Sequence, residues 1–129
     1  MIFPSIQRGF FLIKTMATRD LSDYNHDQVP DASGMRFGIV VSEWNSDITS
    51  RLAEGARATL QKHGAVPGNI HLKFVPGSFE LPLGGQYFAE YGEVDAVILI
   101  GCVIQGETRH FDFICSGVTQ GIMELNLKY

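Results

Sequence analysis

Cysteine is scarce in this chain. Only Cys102 and Cys115 occur in 129 residues, and their spacing fits no metal-ligand pattern. Two unpaired thiols, packing as small apolar groups, imply a reducing compartment and therefore the cytoplasm. Positive charge is short as well. Ten Lys and Arg stand against 14 Asp and Glu, a net charge of -4, and no basic stripe is present to neutralise a phosphate backbone. This argues against nucleic acid as a partner, while leaving a small anion able to bind through local N–H groups. The apolar stretch at residues 9–13 is too short to span a bilayer and short even for a signal-peptide core, so no membrane role is expected.

What is present suits one domain. With 45% hydrophobic and 19% charged residues the chain is globular in composition, and 129 residues give room for one core rather than two. Met16 opens a more typical soluble start, so residues 1–15 are expected to have no folded role. Residues 18–34 are polar and contain Pro30 and Gly34, which predicts an arm that only a partner would order. The expected division is an N-terminal extension over 1–34 and an α/β domain over 35–129.

From residue 35 the pattern becomes regular. MRFGIVV (35–41) is apolar and rich in β-branched residues, as for a strand buried on both faces. A turn with Trp44 and Asn45 follows, and Asn45 or Ser46 can cap the helix predicted over 47–64. Ile48, Leu52, Ala56 and Leu60 form its packing stripe, and Gly64 stops it. IHLKFV (70–75) alternates Ile70, Leu72 and Phe74 inward against His71 and Lys73 outward, which suits an edge strand. PGSFELP (76–82) turns into a second helix, where Pro82 is tolerable only in the first turn. Ser78 and Glu80 open that helix, and capping and ligand hydrogen bonding are both available to them.

VDAVILI (94–100) is the third strand, and the last helix carries Ile114, Val118, Ile122 and Leu125 on one face. Three strands alternating with three helices predict an α/β fold, a parallel sheet with helices on both faces. A sheet this small leaves apolar edges, so assembly with neighbours or a continuation beyond Tyr129 is expected to cover them.

The richest stretch is GCVIQGETRHFDFIC (101–115), which joins the third strand to the last helix. Ligands collect at such strand ends in parallel sheets, and main-chain N–H groups at a helix start suit an anion. Gly101, Gly106 and Thr108 have P-loop spacing, but Glu107 stands where that motif needs lysine, which excludes a nucleotide-hydrolysing loop. An imidazole at position 110 suits proton transfer near neutral pH. A plain turn with a solvated histidine is the competing reading.

The Trp44-Asn45 turn, PGSFELP and GCVIQGETRHFDFIC share order and spacing with one family. Over residues 35–129 the chain resembles 6,7-dimethyl-8-ribityllumazine synthases. The resemblance implies a three-layer α/β/α flavodoxin-like fold and a homo-oligomer, a pentamer or a shell of pentamers, with active sites between subunits. It implies a transferase that condenses 5-amino-6-(D-ribitylamino)uracil with 3,4-dihydroxy-2-butanone 4-phosphate, without metal or cofactor. By the same resemblance Trp44 stacks on the pyrimidine, and Ser78, Phe79 and Glu80 hold the ribityl chain and nearby ring atoms. Cys102, Val103 and Ile104 contact the uracil, Glu107 and Thr108 cradle the phosphate, and His110 transfers protons.

Gln105 stands where the family commonly has a basic residue. Family members also continue for a strand and two helices, with a basic residue for the phosphate, so those C-terminal elements are expected to be missing from this chain. The alternatives are a riboflavin synthase-type paralogue and a non-catalytic flavin-binding or shell-forming relative. His110 together with Phe79 and Glu80 favours the enzyme.

Overall fold

A computed structural model describes residues 25–129. The expectations for residues 1–15, and for the arm before residue 25, lie outside the described residues. The elements are β1 (Phe37–Ser42), α1 (Ser46–Lys62), β2 (Ile70–Val75), α2 (Leu81–Tyr91), β3 (Ala96–Ile100) and α3 (His110–Lys128). Short 3-10 turns lie at His26–Gln28, Pro67–Asn69 and Ser78–Glu80.

All three strands are parallel in the order β2-β1-β3, with Phe37 opposite both Ile70 and Ala96. β1 is central because it is apolar on both faces. Ile39 and Val40 are both 0% exposed, and burying each such side chain is worth about 1.5–3 kcal/mol. Ile39 and Val41 meet Ala53 of α1, while Val40 meets Leu81 and Phe88 of α2. Helices therefore cover both faces, as the alternation predicts. The half-buried Ile114, Val118, Ile122 and Leu125 line one side of α3, which lies against α2. Pro82 falls in the first turn of α2.

α1 ends where expected, at a Schellman motif. Ala65 N–H donates to Leu60 O at 3.0 Å and Gly64 N–H to Gln61 O at 3.0 Å. Gly64 has φ +98°, a conformation that glycine adopts without a Cβ penalty. Ala32 N–H donates to His63 O at 2.8 Å, and Ala32 packs with Phe37 and Ala65, so this part of the N-terminal segment is seated on the end of α1.

Two expectations about facing are corrected. On α1 the inward residues are Thr49, Ala53, Ala56 and Leu60, while Ile48 and Leu52 are 45% and 52% exposed. The Thr49 hydroxyl, donating to Ser42 O at 2.9 Å, turns the first half of the helix by one position, and small side chains let it approach the sheet. On β2, an edge strand as predicted, Leu72 and Phe74 are exposed instead of inward. α1 covers only Ile70 of that face, whereas α2 lies over the face carrying Val75. His71 shares Val75's face and is half-buried, with Nε2 shielded from solvent and without a partner among the described residues.

Candidate functional site

The chain passes from β1 to β2 on one side and then crosses back over β1 to β3 on the other. That reversal opens a crevice beyond the carboxyl ends of β1 and β3, the place where open parallel sheets hold ligands. Three segments line it.

The first is the turn after β1. Glu43 N–H donates to Val75 O at 2.8 Å and Trp44 N–H to Pro76 O at 3.1 Å, prolonging the β1–β2 pairing past the strand ends. The indole is thereby laid beside Gly77, where an added Cβ would sit 3.5 Å from Trp44 Cε3. Asn45 occupies the N-cap position of α1 with φ 58° and ψ 44°, and its side chain makes no capping bond. The capping role expected of it is corrected: Nδ2 donates to Cys102 O at 3.0 Å.

The second segment is the turn at 77–80. Gly77 N–H donates to Glu80 Oε2 at 2.9 Å and Glu80 N–H to Gly77 O at 3.3 Å, closing the turn. Glu80 therefore caps and also borders the crevice, so the two roles open to it are not exclusive. Ser78 does not cap, because Gly77 holds that position. Its Oγ is buried and unpartnered among the described residues, and a buried hydroxyl left this way costs about 1–3 kcal/mol unless something satisfies it. Gly101 permits this packing: a Cβ there would lie 2.5 Å from Ser78 Oγ and 2.7 Å from Leu81 Cδ1. Phe79 is 59% exposed, with its ring against Gly117 of α3.

The third segment is the loop after β3 with the start of α3. His110 is the first residue of α3, and its N–H donates to Thr108 Oγ1 at 3.4 Å. The N–H groups of Gly106, Glu107 and Thr108 have no partner among the described residues. Arg109 is turned along the helix, 3.8 Å from Asp112 and 5.6 Å above the Phe113 ring.

These segments enclose a cavity of about 290 Å³. Trp44, Ser78, Phe79, Glu80, Cys102, Val103 and His110 line it, and Ile104, Glu107 and Thr108 do not. Those three are exposed in the loop beyond its rim. Pro76, Gly77 and Ile114 join the lining without having been named as site residues from the sequence. Ile114 could have been found four positions after His110 on the same helical face. No Lys or Arg lines the cavity. It offers two aromatic faces, a free hydroxyl, a carboxylate, main-chain groups and an imidazole, a set that suits a planar, polar heterocycle better than an anion.

A larger cavity of about 490 Å³, lined by Val75, Leu83, Tyr87 and Phe88 with His71, contains none of the predicted site residues. Among the described residues, no group of three or more His, Cys, Asp or Glu is arranged to hold a metal ion. No helix among them is long and apolar enough to cross a membrane.

Comparison with protein-family models matches residues 34–129 to 6,7-dimethyl-8-ribityllumazine synthase. The chain belongs to that family. It is 60% identical over 113 residues to a 6,7-dimethyl-8-ribityllumazine synthase of Parabacteroides distasonis, covering 88% of this chain and 71% of the relative. With the protein of the same name from Phocaeicola vulgatus the identity is 58% over 112 residues, covering 87% and 67%. The Cytophaga hutchinsonii protein is 56% identical over 113 residues, covering 88% and 70%. A lumazine synthase assignment agrees with the three-stranded parallel sheet, and neither a riboflavin synthase-type paralogue nor a non-catalytic relative is favoured by these matches.

Proposed function

We propose that the cavity bordered by Trp44, the 77–80 turn, the end of β3 and His110 is where this chain carries out the family's condensation. The reaction joins 5-amino-6-(D-ribitylamino)uracil to 3,4-dihydroxy-2-butanone 4-phosphate, giving 6,7-dimethyl-8-ribityllumazine with release of phosphate and water. It makes the chain a transferase of riboflavin biosynthesis, in keeping with relatives that carry the name 6,7-dimethyl-8-ribityllumazine synthase. The observation that carries the reading is that side chains from three separate segments, Trp44, Ser78 with Glu80, and Cys102 with His110, border one cavity at the strand ends.

In this reading Trp44 supplies a face for the pyrimidine, and Ser78 Oγ and the Glu80 carboxylate take polar groups of the ring and ribityl chain. Phe79 closes one side, main-chain groups at Cys102 and Val103 meet the uracil edge, and Ile104 follows just beyond the rim. The arylamine attacks the ketone carbon, and the resulting carbinolamine loses water to an imine. Phosphate then leaves, and the ring closes with loss of a second water. Every step moves a proton, and the imidazole of His110 serves them in turn, which is worth about 10²–10⁴ in rate. Holding two substrates in register supplies more, up to about 7–11 kcal/mol.

The phosphate belongs at the exposed loop, against the free N–H groups of Glu107 and Thr108. Gln105 is uncharged and Arg109 lies along α3, 3.8 Å from Asp112, so no cation stands beside those amides to balance the charge of a phosphate. The reading therefore assigns the phosphate's cation to another part of a homo-oligomer, a pentamer or a shell of pentamers whose sites lie between subunits. A cavity of about 290 Å³ supports this, since it is at the lower end for ligand pockets and holds one substrate more readily than two. In the same reading, residues 35–129 form the catalytic domain, 1–34 an arm, and the enzyme works in the cytoplasm.

Replacing Trp44 tests the placement. Stacking of a base on an aromatic side chain is worth about 1–3 kcal/mol, so Trp44→Ala is expected to raise KM for the uracil about 5- to 150-fold. Trp44→Phe should keep most of the affinity. An unchanged KM in Trp44→Ala would remove the pyrimidine from this cavity.

A further inference from the structure

Asn45 is held in a left-handed conformation, φ 58° and ψ 44°, at the point where the chain leaves β1 for α1. Its main chain already serves the helix, accepting from Ile48 N–H at 2.9 Å and Thr49 N–H at 3.1 Å. Its side chain is thereby free of the usual capping duty and reaches 57 residues along the sequence to Cys102 O at 3.0 Å. The regular pairing of β1 with β3 stops at Val41 opposite Ile100, so this amide continues the join beyond the last ladder position. On the other flank, Trp44 N–H bonds to Pro76 O and continues the pairing of β1 with β2 in the same way. The Trp44 turn is thus tied to both neighbouring walls of the cavity, by main chain on one side and by the Asn45 amide on the other.

We infer that Asn45 is a positioning residue, whose side-chain amide holds the Cys102–Val103 wall at a fixed distance from the Trp44 indole and so sets affinity for the pyrimidine substrate. The inference rests on the site reading above. The bond is exposed in the free chain, where water competes with it. A heterocycle seated against Trp44 and Val103 would shield it, and the bond would then gain in strength. Its contribution accordingly falls on binding and little on folding.

The chain has a single tryptophan, so its fluorescence reports on Trp44 alone. Titrating that emission with 5-amino-6-(D-ribitylamino)uracil, without the second substrate, gives Kd directly. Asn45→Gly keeps the left-handed backbone and removes only the amide. Its Kd is expected to rise about 2- to 13-fold, the range for one neutral hydrogen bond, with the urea unfolding midpoint and oligomeric state of the parent. Asn45→Asp also tolerates this backbone but sets a carboxylate against the Cys102 carbonyl, and a larger loss of affinity is expected.

A parental Kd in both variants overturns the inference while leaving the site reading standing. A lowered midpoint with unchanged Kd, or failure of Asn45→Gly to fold while Asn45→Asp binds as the parent does, overturns it too and makes the tie structural. Absence of any quenching in the parent removes the site reading, and this inference with it.

Discussion

One methyl group at Gly101 would disturb more of the site than many larger changes. The Cα of Gly101 faces Ser78 Oγ and Leu81 Cδ1 so closely that a Cβ would force the Ser78 hydroxyl and the Leu81 side chain to shift. Overpacking of this kind costs about 1–3 kcal/mol, so Gly101→Ala is expected to lower the urea midpoint by a corresponding amount and to weaken uracil binding. An alanine variant with parental stability and affinity would show that the turn yields freely. At this scale the sequence was legible wherever a short motif concentrates the chemistry. Trp44, Ser78, Glu80 and His110 could be named because they stand in compact, chemically distinctive runs. Asn45 could not be assigned its partner, because an Asn before a helix reads as a cap, and nothing local reveals a carbonyl 57 positions away.

Elements were readable in kind and less so in orientation. The stop of α1 was legible because Gly64 is its own signal, and its test is simple. A non-glycine residue in the left-handed region costs about 1–2 kcal/mol, and an added Cβ would also collide with the Asp31 carboxylate. Gly64→Ala is therefore expected to lose at least that stability by urea unfolding, with an unchanged denaturant slope. The facing of α1 and β2 was misread for one physical reason. Periodicity reveals that a face is apolar, but which residues go inward depends on the Thr49 anchor and on which helix covers an edge strand.

The far end of α3 is fixed by a polar cluster that hydropathy does not reveal. Glu90 of α2 receives Gln86, Tyr129 and Lys128, and these bonds, led by that of Gln86, pull its carboxyl from the ordinary 4.5 to about 2. A lowered carboxylate pKa contributes stability at pH values above the unfolded value and loses it as pH falls through the folded one. α3 is thus expected to loosen at its end between about pH 4.5 and 2. Lys128, raised by Tyr129 and Glu90, adds stability below its ordinary value that fades at strongly alkaline pH. Solvent screening keeps both effects small. Glu90→Gln should flatten the acid limb of the thermal midpoint against pH, and an unaltered limb would show that the cluster does not couple to folding.

For the molecule as a whole, strand order decides where chemistry can occur. Because β1 lies between β2 and β3, the crevice opens between Trp44 on one side and Cys102 with His110 on the other. The alternation of strands and helices was legible as a parallel α/β fold, and the family resemblance named seven of the residues that border the cavity at its strand ends. What periodicity could not provide was the volume of the cavity, the outward position of Ile104, Glu107 and Thr108, or the approach of Arg109 to Asp112, since each depends on how a loop leaves the strand. Lumazine formation from both substrates, followed by absorbance for the parent and His110→Ala side by side, tests the account most directly. The expected result is turnover by the parent and a rate lowered about 10²- to 10⁴-fold, yet above the uncatalysed reaction, in the variant. A variant as fast as the parent, or no product from either, would contradict it.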